Sequence, residues 1–243
     1  MLTRILAGGL LIMNLSFAAN APVLVELFTS EGCSSCPSAD VLLRWLDKEQ
    51  PVQGADIIVL SEHVDYWNYL GWRDPFSSAE FSKRQQNYAR RFNRDGPYTP
   101  QMVVNGETEF IGSDAKRAQQ AIAAAAKVPA GIAVRLSWSG GSTVRVEADP
   151  IASEKFKFAE VFVVVARDAA TSDVSRGENG GRKLEHVSIA GKIVAVGKIT
   201  PSAGLSKDVP AGAVGERVIV FVQAPDQGKI LGAAVLSSIQ FRR

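Results

Sequence analysis

Cysteine is scarce in this chain of 243 residues: there are two, Cys33 and Cys36, three positions apart. A small secreted scaffold held by disulfides would spread a larger, even set of cysteines along its length, so that class is excluded. Histidine is as rare, with only His63 and His186. Neither sign of charge dominates, since 27 Lys and Arg face 25 Asp and Glu for a formal charge of +2. That balance excludes a nucleic-acid partner or a polybasic membrane surface. The pair Arg90-Arg91 and the closing Phe241-Arg242-Arg243 read as solvated faces and ends. Beyond the first twenty residues no apolar run reaches membrane-spanning length, so no stable membrane insertion is expected of the mature chain. Internal repeats and low-complexity segments are missing as well.

What is present begins with Met1-Leu2-Thr3-Arg4, an apolar run from Ile5 to Phe17, and small residues at Ala18, Ala19 and Ala21. A positive start, a short apolar stretch and a small-residue exit are the marks of a secretory signal. Cleavage after Ala18, with Ser16 three positions back, and cleavage after Ala21, with Ala19, both fit. The reading takes residues 1–18 as the signal and places the mature protein in the periplasm or outside the cell. About 225 residues then remain, enough for one large domain or two small ones.

Val23 to Thr29 is a β-rich run that ends at Ser30-Glu31-Gly32. After Cys33-Ser34-Ser35-Cys36-Pro37 comes a helical pattern through Ala39, Val41, Leu42, Leu43, Trp45 and Leu46, then a second strand from Ile57 to Ser61. The result is a βαβ unit with parallel strands. Glu62 to Pro75 is aromatic and irregular, and Ser77 to Arg91 is helical, with Phe81, Tyr88 and Phe92 as core contacts. Met102 to Val104 and Thr108 to Ile111 flank Asn105-Gly106, a strong hairpin signal. A last helix, capped by Ser113 or Asp114, runs through the alanines to about Ala126. From Gly131 the texture changes to about seven short strands separated by turn residues, which predicts a β-sandwich. The predicted fold class is an α/β domain over residues 19–128, with an aromatic and helical insertion, followed by an all-β sandwich-like domain over 129–243. Pro129 interrupts any helix at the boundary.

The two cysteines sit between a strand and a helix N-terminus. Backbone N–H groups and the positive end of the helix dipole favour a thiolate there, and only the thiolate is a useful nucleophile. Cys33 is the expected attacking thiol. Cys36, one turn inward and more buried, is the expected resolving thiol that releases the partner from a mixed disulfide. Ser34 and Ser35 offer hydroxyls that could stabilise the thiolate or serve as ordinary turn residues. Pro37 suits the first helical turn, where a missing N–H costs nothing. A purely structural disulfide would stabilise little, because the loop it closes is so short.

Tyr98-Thr99-Pro100-Gln101-Met102-Val103-Val104-Asn105-Gly106 resembles the element of the thioredoxin superfamily in which a proline precedes a strand and hairpin lying against the CxxC motif. The resemblance implies a cis Pro100 and a Thr99 backbone that pairs with a bound substrate chain. Val25 to Pro37 with Ala39-Asp40, read as one block, and Arg176-Gly177-Glu178-Asn179-Gly180-Gly181 further on, resemble the secreted bacterial thioredoxin-like family known as domain of unknown function 1223. That likeness implies fold and export more than a substrate. Three departures from ordinary thioredoxin are visible: no aromatic residue precedes Cys33, the dipeptide is Ser-Ser, and an aromatic segment follows His63. They argue against a general protein-disulfide reductase.

Glu26 shares a strand face with Leu24 and Phe28, and is either a buried base for the Cys36 proton or a paired strand residue. His63 stands at the strand end where α/β sites lie, with Glu62, Asp65, Tyr66, Trp67 and Trp72 as a possible rim. His186 is beside the glycine-rich loop 176–182, which either folds back over the thiols or forms a charged hairpin. The expected activity is dithiol-disulfide exchange with a protein or small thiol partner, carried by Cys33, Cys36 and Pro100, with no cofactor besides the redox-active disulfide. Cys33, Cys36, His63 and His186 also make a possible set for zinc or copper, so metal binding or delivery is the alternative. A non-catalytic binding module with a structural disulfide is the third.

Overall fold

The computed structural model describes residues 20–140, 142–151 and 156–237. The expected export signal at 1–18 and the closing Phe241-Arg242-Arg243 lie outside the described residues. Strand β1 (Ala21–Thr29) leads into helix α1 (Cys36–Glu49) and strand β2 (Ala55–His63). Helix α2 (Ala79–Arg91), strands β3 (Gln101–Val104) and β4 (Thr108–Ile111) and helix α3 (Ala115–Ala126) follow. β1 and β2 are parallel, with Val25 opposite Val59, and β3 runs antiparallel to β1, with Leu27 opposite Met102. The hairpin turns at Asn105 and Gly106, both with positive φ. A Cβ on Gly106 would also come within 2.5 Å of the Gly228 carbonyl, so glycine is required twice over.

β1 is buried on both faces, which explains its near-continuous apolar run. Val23, Val25 and Leu27 pack under α1 and α3 with Leu42, Leu43, Leu46, Val59 and Ile122. Leu24 lies on the opposite face with Leu60, Phe81 and Phe221. Each such side chain contributes roughly 1.5–3 kcal/mol on burial.

The second half supplies β5 (Ile132–Gly140), β6 (Thr143–Pro150), β7 (Ala159–Asp173), β8 (Lys183–Ile199), β9 (Leu205–Pro210), β10 (Glu216–Gln223) and β11 (Ile230–Ser237). Eight strands form one sheet in the order β11-β10-β7-β8-β2-β1-β3-β4, and β5-β6-β9 form a smaller one. The protein is thus a mixed α/β structure with one large sheet and few helices. Residues 128–129, where the division was expected, lie between α3 and β5, and the eight-stranded sheet takes strands from both sides of them. β8 docks on β2 at Ile189 and Ser61, and the Ser188 hydroxyl donates to the Val59 carbonyl at 2.6 Å. Sandwich-like packing does occur: Val144, Val146 and Val209 of the small sheet meet Val161, Val218 and Val220 of the large one. One layer of that sandwich therefore belongs to the same sheet as the first 128 residues. The apolar segments Val187–Ala190 and Ile193–Ile199 both lie in one strand, β8, and β9 is largely polar.

The loop before β3 is pinned beneath α1. Gly112 donates from its backbone to the Pro100 carbonyl at 2.9 Å, and a Cβ added there would lie 2.7 Å from Leu27, 3.1 Å from Pro100 and 3.3 Å from Ala39. Gly112→Ala should therefore cost about 1–3 kcal/mol through overpacking. Thermal unfolding followed by circular dichroism checks this, and an unchanged midpoint would mean that the contact relaxes freely.

Candidate active site

The chain leaves β1 at Thr29, turns through Ser30 to Ser35 and enters α1 at Cys36, with Pro37 in the first turn. Cys33 and Cys36 form a disulfide with their Cα atoms 5.4 Å apart. The turn is closed by Cys33 N–H donating to Ser30 and Cys36 N–H donating to Cys33, both at 3.2 Å. Ser35 places its Oγ 3.3 Å from the Cys33 Sγ. Both cysteines have 0% of their surface exposed, whereas Ser34 and Ser35 between them are exposed. Cys33 is thus as buried as Cys36, where the sequence pattern had suggested a more open attacking thiol.

Thr99–Pro100 is a cis peptide, in accord with the proline expectation. Trp67 connects this loop to the cysteine turn: its Nε1 donates to the Thr99 Oγ1 at 2.8 Å, and its Cβ lies 3.0 Å from where a Gly32 Cβ would stand. The segment 64–76 therefore forms one wall. The tip of the β7–β8 hairpin forms another. Asn179, fully buried, donates from Nδ2 to the carbonyls of Glu31 (2.8 Å) and Cys33 (2.9 Å), and Arg182 donates to its Oδ1 at 2.8 Å. The exposed Glu178 carboxylate accepts from the Ser34 N–H at 2.9 Å, and the Ser34 side chain, then this backbone donor, hold its pKa below its ordinary value. Of the two readings of loop 176–182, the one observed is a fold back onto the main chain of the cysteine turn.

Beside the motif lies a buried network. His63 Nδ1 is 2.7 Å from Asp74, whose same oxygen accepts from the Glu31 N–H at 2.9 Å. Glu31 accepts from Trp72 Nε1 at 2.7 Å and lies 3.1 Å from His186 Nε2, while Asp40 is 3.8 Å from His186 Nδ1. The two imidazole rings meet edge-on at 4.7 Å, each also against Phe76. Burial works against a charged His186, but Asp40 and Glu31 outweigh it and hold the pKa up to about 9. Burial alone would raise Asp74, yet His63 and two backbone donors bring it below its ordinary value. Both histidines thus meet near the motif, each against carboxylates. Among the described residues no group of three or more His, Cys, Asp and Glu is arranged to hold a metal ion.

Glu26 is not brought into this network. It lies on the α2 face, accepting from Arg84 Nε at 2.7 Å and the Tyr88 hydroxyl at 2.7 Å. Glu62 approaches the same guanidinium at 3.6 Å, beyond hydrogen-bond range. Burial and the charge of Glu26 raise its pKa well above the ordinary value in spite of Arg84. The alternative of a paired strand glutamate is what the geometry favours, and a proton-accepting role toward Cys36 finds no contact. Sequence reasoning missed Glu31, Asp40 and Asp74 as site residues. Only the Asp74-Pro75 step, a polar break among aromatics, could have signalled one of them.

The fold and site define an α/β protein with a disulfide-bonded CxxC turn at a strand–helix junction, enclosed by two loops. The chain belongs to the family described as protein of unknown function (DUF1223), whose pattern matches residues 24–223. It is similar to the crystal structure of an Agrobacterium tumefaciens protein solved as a structural-genomics target, at 30% identity and a TM-score of 0.75, covering 90% of this chain and 96% of that one. It is also similar in fold to HBP35 of Porphyromonas gingivalis, at 17% identity and a TM-score of 0.57, covering 90% of this chain and 76% of that one. No curated protein matches the chain. Among the described residues no helix is long and apolar enough to cross a membrane.

Proposed function

We propose that this protein is an exported thiol-disulfide oxidoreductase with a thioredoxin-like first half. The observation that carries the reading is the Cys33–Cys36 disulfide at the start of α1, with the Pro100 loop and α1 brought to either side of Gly112. The succession β1-α1-β2-α2-β3-β4-α3 with neighbouring strands in the order β2-β1-β3-β4 supports the thioredoxin likeness. The signal-like residues 1–18 support export to an oxidising compartment, where such a pair is at home.

In the reduced protein the Cys33 thiolate attacks a partner disulfide, forming a mixed disulfide and releasing one partner sulfur as a thiolate that takes up a proton. Cys36, deprotonated, then attacks the Cys33 sulfur, closes the 33–36 bond and releases the second partner thiol. Two electrons and two protons pass to the partner, and the reverse sequence oxidises it.

The test equilibrates the mature protein with glutathione buffers and counts alkylated thiols by mass. A potential of roughly −120 to −270 mV is expected. Cys33→Ser should abolish exchange, and Cys36→Ser should accumulate a mixed disulfide. A pair more reducing than about −300 mV that exchanges with no added disulfide, or full activity in the Cys33 variant, would overturn the proposal.

A further inference from the structure

Disulfide exchange requires an incoming sulfur to approach one sulfur of the pair, so access limits the rate. Here both cysteines are completely buried. We infer that the hairpin tip 176–182 is a latch that closes the disulfide to partners, with Asn179 as its key and Glu178 as its outer catch; the inference rests on the exchange reading and names how that site is regulated.

The contact is built as a latch. Asn179 comes from 146 positions along the chain to reach Cys33, yet its side chain is fully engaged there. Both hydrogens of its amide satisfy main-chain carbonyls, Glu31 on one side of the turn and Cys33 within it, and Arg182 holds the amide oxygen. Such an orientation is unique, because a flipped amide would set its oxygen against two carbonyls. Glu178 takes the Ser34 N–H at the exposed rim. The hairpin tip also rests on the facing wall: a Cβ on Gly177 would lie 3.3 Å from Trp72 and 3.4 Å from the Leu70 carbonyl.

The same loop has the means to move. Gly177 and Gly181 both take positive φ and bracket Glu178 and Asn179, so the keyed residues sit between two permissive backbone points. What holds the tip against the motif is a few hydrogen bonds at the end of a hairpin, the kind of segment that opens locally at a fraction of the global unfolding cost. The latch also assigns a task to the second half of the chain. β7 and β8, anchored in the shared sheet, deliver Asn179 to a motif built wholly from the first half.

The experiment follows reduction of the Cys33–Cys36 bond by dithiothreitol, whose two thiols close to a cyclic disulfide as the protein gains two electrons and two protons. Asn179→Ala removes two donors to buried carbonyls and should raise the reduction rate at least about tenfold. Glu178→Gln should raise it roughly threefold, since only a charge-assisted acceptor at the rim is weakened. Reoxidation should accelerate in parallel, so that the equilibrium with glutathione changes far less than the rates. Leu231→Ala, in the distant apolar core beneath β11, is the control for general loosening and should leave the rate near wild type. Unchanged kinetics in the Asn179 variant, or equal acceleration by Leu231→Ala, would overturn the latch. An Asn179→Ala protein that is reduced quickly but never exchanges with glutathione or protein disulfides supports the latch and defeats the exchange reading. Exchange in wild type that Asn179→Ala does not accelerate does the opposite.

Discussion

Replacing Arg84 by methionine is expected to lower the stability of the folded protein by about 3–5 kcal/mol. Arg84 is nearly buried and binds Glu26 through Nε and Nη2 at 2.7 and 2.6 Å. It also donates to Gln223 at 3.1 Å and to the Tyr88 hydroxyl at 3.2 Å. Burial works against the guanidinium charge, but Glu26, Tyr88 and Glu62 together hold its pKa above the ordinary value. Burial, and then Glu26, push the Glu62 pKa well above its ordinary value, which favours the neutral form of Glu62 beside the Arg84–Glu26 pair. Methionine would fill much of the volume and leave the Glu26 carboxylate with only Tyr88 and no countercharge. Adding Glu26→Gln should then recover a substantial part of the loss, because the uncompensated charge is gone. Urea unfolding of the two single variants and the double variant at pH 7 measures this. A loss below about 1 kcal/mol for Arg84→Met, or no recovery in the double variant, would show that water reaches Glu26 and the pair is not a buried one.

That network marks where sequence reading stopped. Glu26 was legible as a residue on the Leu24 face, because strand alternation is local. Its partners were not, since Arg84 and Tyr88 arrive from 58 and 62 positions away on α2, whose docking no short pattern encodes. The same holds at the thiol site. The CxxC turn, the Pro37 start of α1 and the Asn105-Gly106 hairpin rest on signals a few residues long, the cis Pro100 was implied by a family resemblance, and all were found where expected. The burial of Cys33 was not legible, because the contacts Asn179 and Trp67 make around the cysteine turn come from separate segments. The pairing of β8 with β2 escaped for a related reason. Its registering residues, Ile189 and Ser61, lie 128 positions apart, and a change of strand texture near Gly131 reads as a domain boundary whether or not the sheet continues across it.

Raising the pH should weaken the protein in a window set by His186. Four groups meet that ring: Glu31 from the cysteine turn, Asp40 from α1, His63 from β2 and Phe76 from the 64–76 wall. With the folded pKa lifted to about 9 against an ordinary 6.5, the folded state holds a proton that the unfolded chain releases earlier. A raised pKa stabilises the fold fully below about 6.5, and that contribution falls away as pH rises through 9. The shift corresponds to about 3 kcal/mol. Asp74 sets the other flank: its lowered pKa contributes stability above its ordinary value of 3.8, which is lost as pH falls below it. The disulfide adds no titration of its own, since bonded cysteines carry no proton. Urea unfolding of the oxidised protein between pH 6 and 9.5, alongside His186→Gln, separates the histidine from every other titrating group. The wild type should lose about 3 kcal/mol more than the variant across that range. Parallel pH dependence in the two proteins would mean that His186 is neutral in the fold and that Glu31 and Asp40 find their compensation elsewhere.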